Sequence, residues 1–158
     1  MQKNLGEEIS KGIKLLKSRN VKVLENGTED RIFSVDSEKY RFTITLNPNR
    51  WIGLEFDLLD SDKKSLLNFT IDTDIYPISD SKYNSFASGI EKNIGEFLNA
   101  LANRRIKIGR IKEKPAMIIP QDDGYLLIKK IWIFTTKKLY MELSKIESKG
   151  KFYPLLPQ

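Results

Sequence analysis

The spacing of apolar residues predicts two helices, one at the start of the chain and a longer one in its middle. Within residues 1–20, apolar positions recur at steps of three or four, which is typical of one helix face: Leu5, Ile9, Ile13 and Leu16. Residues 79–104 carry a wider stripe of the same period, and their first three residues supply N-cap oxygens. We therefore expect an N-terminal helix and a long central helix.

Between these helices, apolar and polar residues alternate one by one. Strict alternation predicts strands with one dry face, and the clearest examples are Tyr40, Phe42, Ile44 and Leu46, then Ile52, Leu54, Phe56 and Leu58. Short turn sequences separate the strands, among them Asn26 followed by Gly27, and the segment 60–64. Residues 21–76 therefore predict an antiparallel meander with one wet face.

The C-terminal part predicts further strands, one helix and a tail. Residues 106–134 contain a strand and then a hairpin across 120–124, and its second strand, 125–134, is apolar on both faces and so expected to be covered in its middle. Residues 136–149 predict a helix that begins at Thr135 or Thr136. Residues 151–158 form an apolar tail that either straps across the core or offers a surface to a partner.

Elements of one type cluster along the chain, which favours an α+β fold with an antiparallel sheet. We expect a single domain over residues 1–158, in which about five to seven strands are covered by the long central helix. The predicted order is α-ββββ-α-β(β)β-α. No motif assigns this order to a family.

Charge is sorted along the chain. Residues 23–81 hold 12 acidic and 6 basic side chains, whereas residues 101–158 hold 13 basic and 5 acidic ones, within a total of +6. Such polarity governs the choice of partner more than it governs the fold. It predicts an acidic region and a basic region that bind different surfaces, and it permits head-to-tail self-association.

The composition argues against most catalytic chemistry. Histidine and cysteine are absent, which excludes Ser-His and Cys-His nucleophiles and zinc sites, and no phosphate-cradling glycine motif is present. Carboxylate-held Mg²⁺ is the surviving alternative, with candidate ligands Asp57, Asp60, Asp62, Asp72 and Asp74. The sequence of 60–64 is more typical of a turn than of a metal site. We therefore expect no enzyme, no metal and no cofactor.

The basic segment, residues 104–114, is the sharpest binding candidate in the sequence. Its cations are Arg104, Arg105, Lys107, Arg110, Lys112 and Lys114. If residues 106–112 are extended, we expect Arg105, Lys107 and Arg110 to project to the wet side as a strip that attracts phosphates. The competing interpretation is an edge strand guarded by cations against aggregation.

Trp51 and the acidic side chains of the meander are the second binding candidate. Trp51 is out of phase with the apolar residues that follow it. It therefore either points outward as an interface anchor, or covers the sheet edge or docks under the C-terminal tail. Asp57, Asp60, Asp62, Asp72 and Asp74 are expected to face a basic partner.

These observations predict a small intracellular protein that binds another protein through a charge-polarised surface, without catalysis. An immunity-type, inhibitor or accessory protein of a bacterium fits this size and composition. The alternative is sequence-tolerant nucleic-acid binding through the basic segment. No apolar run approaches the roughly 20 residues of a membrane helix, so we expect no membrane insertion. Because no apolar stretch follows Lys3 as in a signal peptide, and cysteine is absent, we expect a cytoplasmic protein.

Overall fold

The computed structural model describes residues 5–47, 50–73, 78 and 80–156. Its first half contains helix α1 (Glu7–Ser18) and five strands: β1 (Leu24–Asn26), β2 (Arg31–Asp36), β3 (Tyr40–Asn47), β4 (Trp51–Leu59) and β5 (Ser65–Asp72). A 3-10 turn (Ser81–Tyr83) leads into helix α2 (Asn84–Ala102). The second half contains β6 (Lys107–Ile111), β7 (Lys114–Gln121), β8 (Gly124–Ile131), β9 (Phe134–Tyr140), helix α3 (Leu143–Glu147) and β10 (Gly150–Pro154).

The ten described strands form two antiparallel sheets of five strands each. Sheet A has the order β1-β2-β3-β4-β5, so it is an uninterrupted meander. Sheet B has the order β10-β6-β7-β8-β9. The α+β class and the antiparallel pairing are confirmed, whereas the prediction of one sheet is wrong. Helix α2 separates β5 from β6 along the chain. The strands before it form sheet A, and the strands after it form sheet B.

Helix α2 supplies the centre of the main core. Its Phe97 ring meets the rings of Phe42, Phe56 and Phe69 edge-on, at centroid distances of 6.0, 5.2 and 5.8 Å. These three rings come from β3, β4 and β5, whose alternate residues all point to the same side. Met117 of β7 joins the same core from sheet B.

Helix α1 packs against α2 at very short range. A Cβ atom placed on Gly12 would lie 2.6 Å from the Leu98 side chain, so only glycine permits this approach. The predicted N-terminal helix over 1–20 is therefore confirmed in its described part, α1. The predicted central helix over 79–104 is confirmed as α2, and the Asp80 side chain caps the 3-10 turn before it by accepting the Lys82 N–H at 3.1 Å.

The predicted helix over 136–149 is wrong in its first half. Strand β9 runs through Tyr140 and pairs with β8, and the helix is only Leu143–Glu147. A small second core on the outer face of sheet B, around Ile118, Leu127 and Ile146, receives this helix. Tyr140 packs against that second core, while its neighbour Leu139 lies on the opposite face, which a strand permits and a helix stripe does not.

The predicted tail over 151–158 is also more ordered than expected. Its first residues belong to β10, which pairs with β6 from Gly150↔Ile111 to Pro154↔Lys107. Leu155 then enters the main core, and its N–H donates to the Ile106 carbonyl at 2.9 Å. The tail therefore straps across the core, and β6 lies inside sheet B rather than at its edge. The guarded-edge interpretation of the basic segment is wrong for this reason.

A buried carboxylate joins the two long helices. The Oε1 atom of Glu91, in the second turn of α2, accepts the backbone N–H groups of Gly6 and Glu8, both at 2.8 Å. These donors belong to the N-terminus of α1, which has no cap from its own side chains. Glu91 therefore satisfies open N–H groups and places a negative charge at the positive end of α1.

Replacing Glu91 by alanine is expected to destabilise the protein by about 2–4 kcal/mol, because one buried and one part-buried N–H donor lose their acceptor. Glu91→Gln keeps an acceptor oxygen and is expected to lose less. Urea denaturation of both variants measures the difference. A Glu91→Ala variant within about 0.5 kcal/mol of the wild type would show that this cap contributes nothing.

Candidate functional site

The most exposed apolar cluster among the described residues is the turn that joins β8 to β9. Its four consecutive residues, here called the hairpin tip, are Ile131, Trp132, Ile133 and Phe134, with 44, 72, 68 and 61% of their surfaces exposed. The Trp132 and Phe134 rings meet edge-on at 6.5 Å. Two aromatic and two aliphatic side chains therefore stand together in water, where a structural role in the core is excluded.

The backbone does not require apolar residues at this turn. Two other two-residue turns of sheet B carry Lys112 with Glu113, and Asp122 with Asp123. Trp132 has φ 56°, in the left-handed region, which costs a bulky residue about 1–2 kcal/mol. A turn that exposes a tryptophan in this conformation reduces stability, so its residues point to function rather than to folding.

The hairpin that carries the tip holds positive charge only. Residues 124–141 contain four lysines and no acidic residue: Lys129, Lys130, Lys137 and Lys138. The Lys137 ammonium donates to the Thr70 carbonyl of β5, and partial burial lowers its pKa although nearby Asp72 raises it. Lys138 lies over the Tyr140 ring at 5.2 Å. The tip is therefore an apolar cluster on a basic hairpin.

The tip is not apparent from the sequence, although its residues are plainly apolar. The sequence predicts a covered strand over 125–134, but β8 ends at Ile131 and pairs there with Phe134. The apolar residues continue through the turn without any glycine, asparagine or proline to mark it. One signal favours a turn here. The three successive turns of sheet B begin at residues 112, 122 and 132, so they recur every ten residues.

The basic segment is not gathered into one strip. Arg104 and Arg105 lie at the C-terminal end of α2, where the Arg105 guanidinium donates to Asn99 at 2.9 Å. Lys107 forms an ion pair with Glu147 of α3 at 2.6 Å, on the outer face of sheet B. Arg110 projects from the other face of β6.

The last two cations of the basic segment lie at the far end of β6. Lys112 is in the turn, with φ 50°, and Lys114 begins β7. The strand thus distributes its cations over two faces and two ends, because alternate residues of a strand point in opposite directions. Binding through this segment stays a prediction, and its side chains offer separate charges rather than a row.

The candidate acidic residues have structural partners in sheet A. Asp57 accepts hydrogen bonds from Ser65 at 2.7 Å and Asn68 at 2.9 Å, and pairs with Arg41 at 3.3 Å. Burial raises its pKa, but these three partners outweigh that effect and lower the pKa below the ordinary value. Asp57 is therefore held as a carboxylate on the wet face of the sheet.

The remaining aspartates are dispersed. The Asp60 carboxylate accepts the N–H groups of Asp62 and Lys64 at 2.8 and 2.9 Å, which is the geometry of a turn, and Asp72 lies near Lys137. Asp74 falls outside the described residues. Within the described ranges, no three acidic side chains form a group that would hold a metal ion.

Trp51 lies on the wet face of sheet A with 37% of its surface exposed. Its indole covers Gly53, since a Cβ atom built on that glycine would lie 2.4 Å from the ring. The ring is thus supported by the sheet and open to solvent on one side. Its role as a contact for a partner stays a prediction.

The charge pattern of the sequence maps onto the two sheets. Residues 24–72, which span sheet A, carry ten acidic and six basic side chains, a net charge of −4. Residues 107–154, which span sheet B, carry eleven basic and five acidic ones, a net charge of +6. The acidic and basic regions of the sequence therefore lie in different sheets.

Asp57→Asn is expected to lower the free energy of unfolding by about 1 kcal/mol at pH 7, because the ionised carboxylate accepts stronger hydrogen bonds than an amide. The folded-state pKa lies below the ordinary 3.8, so this stabilisation is present above that pH and is lost as the pH falls through the folded-state pKa. Denaturation at pH 7 and near pH 2.5 measures the change. Glu55→Gln, on the same face of β4, is the matched control, and an equal effect of the two variants would contradict the prediction.

Comparison with known proteins gives no assignment: no family model, no curated protein and no solved structure matches this chain. No helix within the described ranges combines the length and apolar character needed to cross a membrane.

Proposed function

We propose that this protein acts by binding another protein, without catalysis, and that the hairpin tip is its anchor. The observation that carries the proposal is the exposure of four consecutive apolar residues at the end of a basic hairpin. In the cell, a binding protein of this size and charge would suit an immunity-type, inhibitor or accessory role.

The tip has enough apolar surface to drive association. An aromatic side chain offers about 150–250 Å² for burial, so Trp132 and Phe134 at their exposures together present roughly 250 Å². At about 25 cal/mol per Å², burying that area supplies ~6 kcal/mol before the costs of association are subtracted. Tryptophan at the centre of a desolvated contact is also the residue most enriched among binding hot spots.

The charge distribution indicates which partner surface fits. Four lysines and no acid lie on the hairpin, within a sheet of net charge +6. A pocket rimmed by carboxylates complements such a hairpin, because opposite charges steer the encounter and like charges exclude wrong partners. Sheet A carries a net charge of −4, so a carboxylate-rimmed surface is expected to be repelled by it and to dock through sheet B.

The double variant Trp132→Ser with Phe134→Ser is expected to weaken partner binding about thirtyfold or more, since loss of a hot-spot aromatic costs about 2 kcal/mol. The partner is first captured from an extract of the native cell by the immobilised wild-type protein and identified by mass spectrometry. Calorimetry with the purified partner then gives the dissociation constants of the wild type and the variant.

Met141→Ser is the matched control, because Met141 is 76% exposed but lies beyond the other end of β9. Unchanged affinity in the control and loss in the tip variant supports the anchor. Equal affinity of the tip variant and the wild type contradicts it. Co-sedimentation of the protein with phosphatidylserine vesicles that is lost in the tip variant would assign the tip to a lipid surface instead.

Sequence-tolerant nucleic-acid binding is the second proposal, and the hairpin again carries the observation that favours it. Exposed aromatic rings beside lysines provide a stacking platform and phosphate contacts. Fluorescence anisotropy with single-stranded DNA and RNA tests it. Micromolar binding at 50 mM salt that weakens steeply by 200 mM and is lost in Trp132→Ser supports this function. No binding at 50 mM salt removes it.

A further inference from the structure

Two sheets have four outer edges, and three of them are protected. Strand β1 has only three residues, and β10 has five and ends in Pro154, which lacks an N–H group. At the outer edge of β5, the Asn68 carbonyl accepts from the Thr135 hydroxyl at 3.0 Å, and the Thr70 carbonyl accepts from Lys137. The remaining edge is β9, with seven residues.

The outer backbone edge of β9 pairs with no other described strand. Thr135 and Lys137 reach β5 with their side chains, so β5 lies across a face of β9 and not beside its edge. Ile131 and Phe134 close a two-residue turn, and such a closing pair is hydrogen-bonded across the strands. By alternation, the N–H and C=O groups of residues 135, 137 and 139 point outward, where no described strand pairs with them.

The chemistry of β9 disfavours a second copy as its occupant. The middle residue of the strand is Lys137, so antiparallel pairing of two copies about a two-fold axis there would bring the two Lys137 side chains opposite each other. Like charges directly opposite one another destabilise a sheet. Lysines on an edge strand are a known means of preventing such pairing.

Lys138 favours an acidic strand as the occupant. Its side chain projects to the outer face of β9, opposite to the face on which Lys137 reaches the Thr70 carbonyl, so an added strand that presents carboxylates on the outer face meets a cation there. We propose that β9 is a docking edge, at which an extended acidic segment of the partner adds to sheet B as a sixth strand. This inference rests on the proposed function, since the partner that binds the hairpin tip is the one whose extended segment pairs with β9. Main-chain hydrogen bonds supply affinity in this mode of binding, and the side chains supply selectivity.

A seven-residue peptide of alternating valine and glutamate, with blocked ends, is the probe. Titrated into ¹⁵N-labelled protein, it is expected to shift the amide signals of Thr135, Lys137 and Leu139 and to slow their hydrogen exchange at least tenfold. The matched peptide of alternating valine and lysine is expected to leave them unchanged. Shifts confined to another strand, equal binding of the two peptides, or no shift at millimolar peptide each overturn the proposal.

Leu139→Pro removes one outward N–H group and is expected to weaken binding of the glutamate peptide at least fivefold. Leu139→Ala keeps that N–H group and is the matched control, and circular dichroism with thermal melting verifies that both variants fold. Equal affinity of the two variants overturns the proposal. A wild-type dimer in sedimentation that Leu139→Pro dissociates would instead assign the edge to a second copy.

Binding measurements with the purified partner distinguish anchoring by the hairpin tip from strand addition at β9. Loss of partner binding in the tip variant but not in Leu139→Pro overturns strand addition and leaves the anchor in place. Loss in Leu139→Pro with full binding by the tip variant overturns the anchor and leaves the edge as the docking site.

Discussion

The arrangement of the molecule depends on one helix that is buried from several sides. Helix α2 contacts α1, strands β4 and β5 of sheet A, and β7 of sheet B. Its Phe97 fills the space among three aromatic rings of sheet A, and Met117 of β7 lies in the same core. Because burial of apolar area is the main favourable term in folding, contact with α2 is what chiefly holds both sheets. The sheets also meet directly, where Thr135 and Lys137 of β9 donate to carbonyls of β5.

This constraint leaves the far side of sheet B free for other uses. Only the inner face of that sheet is needed for the main core, and the short helix α3 covers part of the outer face with its own small core. Strands β8 and β9 extend beyond both cores, so the end of their hairpin contributes no packing. A segment that does not contribute to stability can expose apolar residues and adopt an unfavourable turn conformation. The cost in stability is then offset when the segment binds a partner.

Sheet A could be predicted almost completely from the sequence, whereas the β8–β9 hairpin could not. Strict alternation in β3 and β4 identifies which side of each strand is dry, because consecutive strands of a meander share one covered face. The segment after residue 131 gives a misleading pattern. Leu139, Tyr140, Leu143 and Ile146 fit one helix face by spacing, yet the first two lie on opposite faces of β9. Residues 131–134 are apolar enough to be buried, and only their position in a turn exposes them.

The sequence by itself determined the fold class, the two long helices, the meander and the separation of acidic from basic regions, since these follow from the order and period of neighbouring residues. The tertiary structure alone decided that the strands form two sheets, that the tail becomes a strand beside β6, that the cations of the basic segment point apart and that the hairpin tip is exposed. These outcomes depend on contacts between residues far apart in the chain, such as Leu155 with Ile106 and Glu91 with Gly6. Local periodicity does not predict such contacts. The spacing of apolar residues indicates which side of an element each residue faces, but not which other element covers that side.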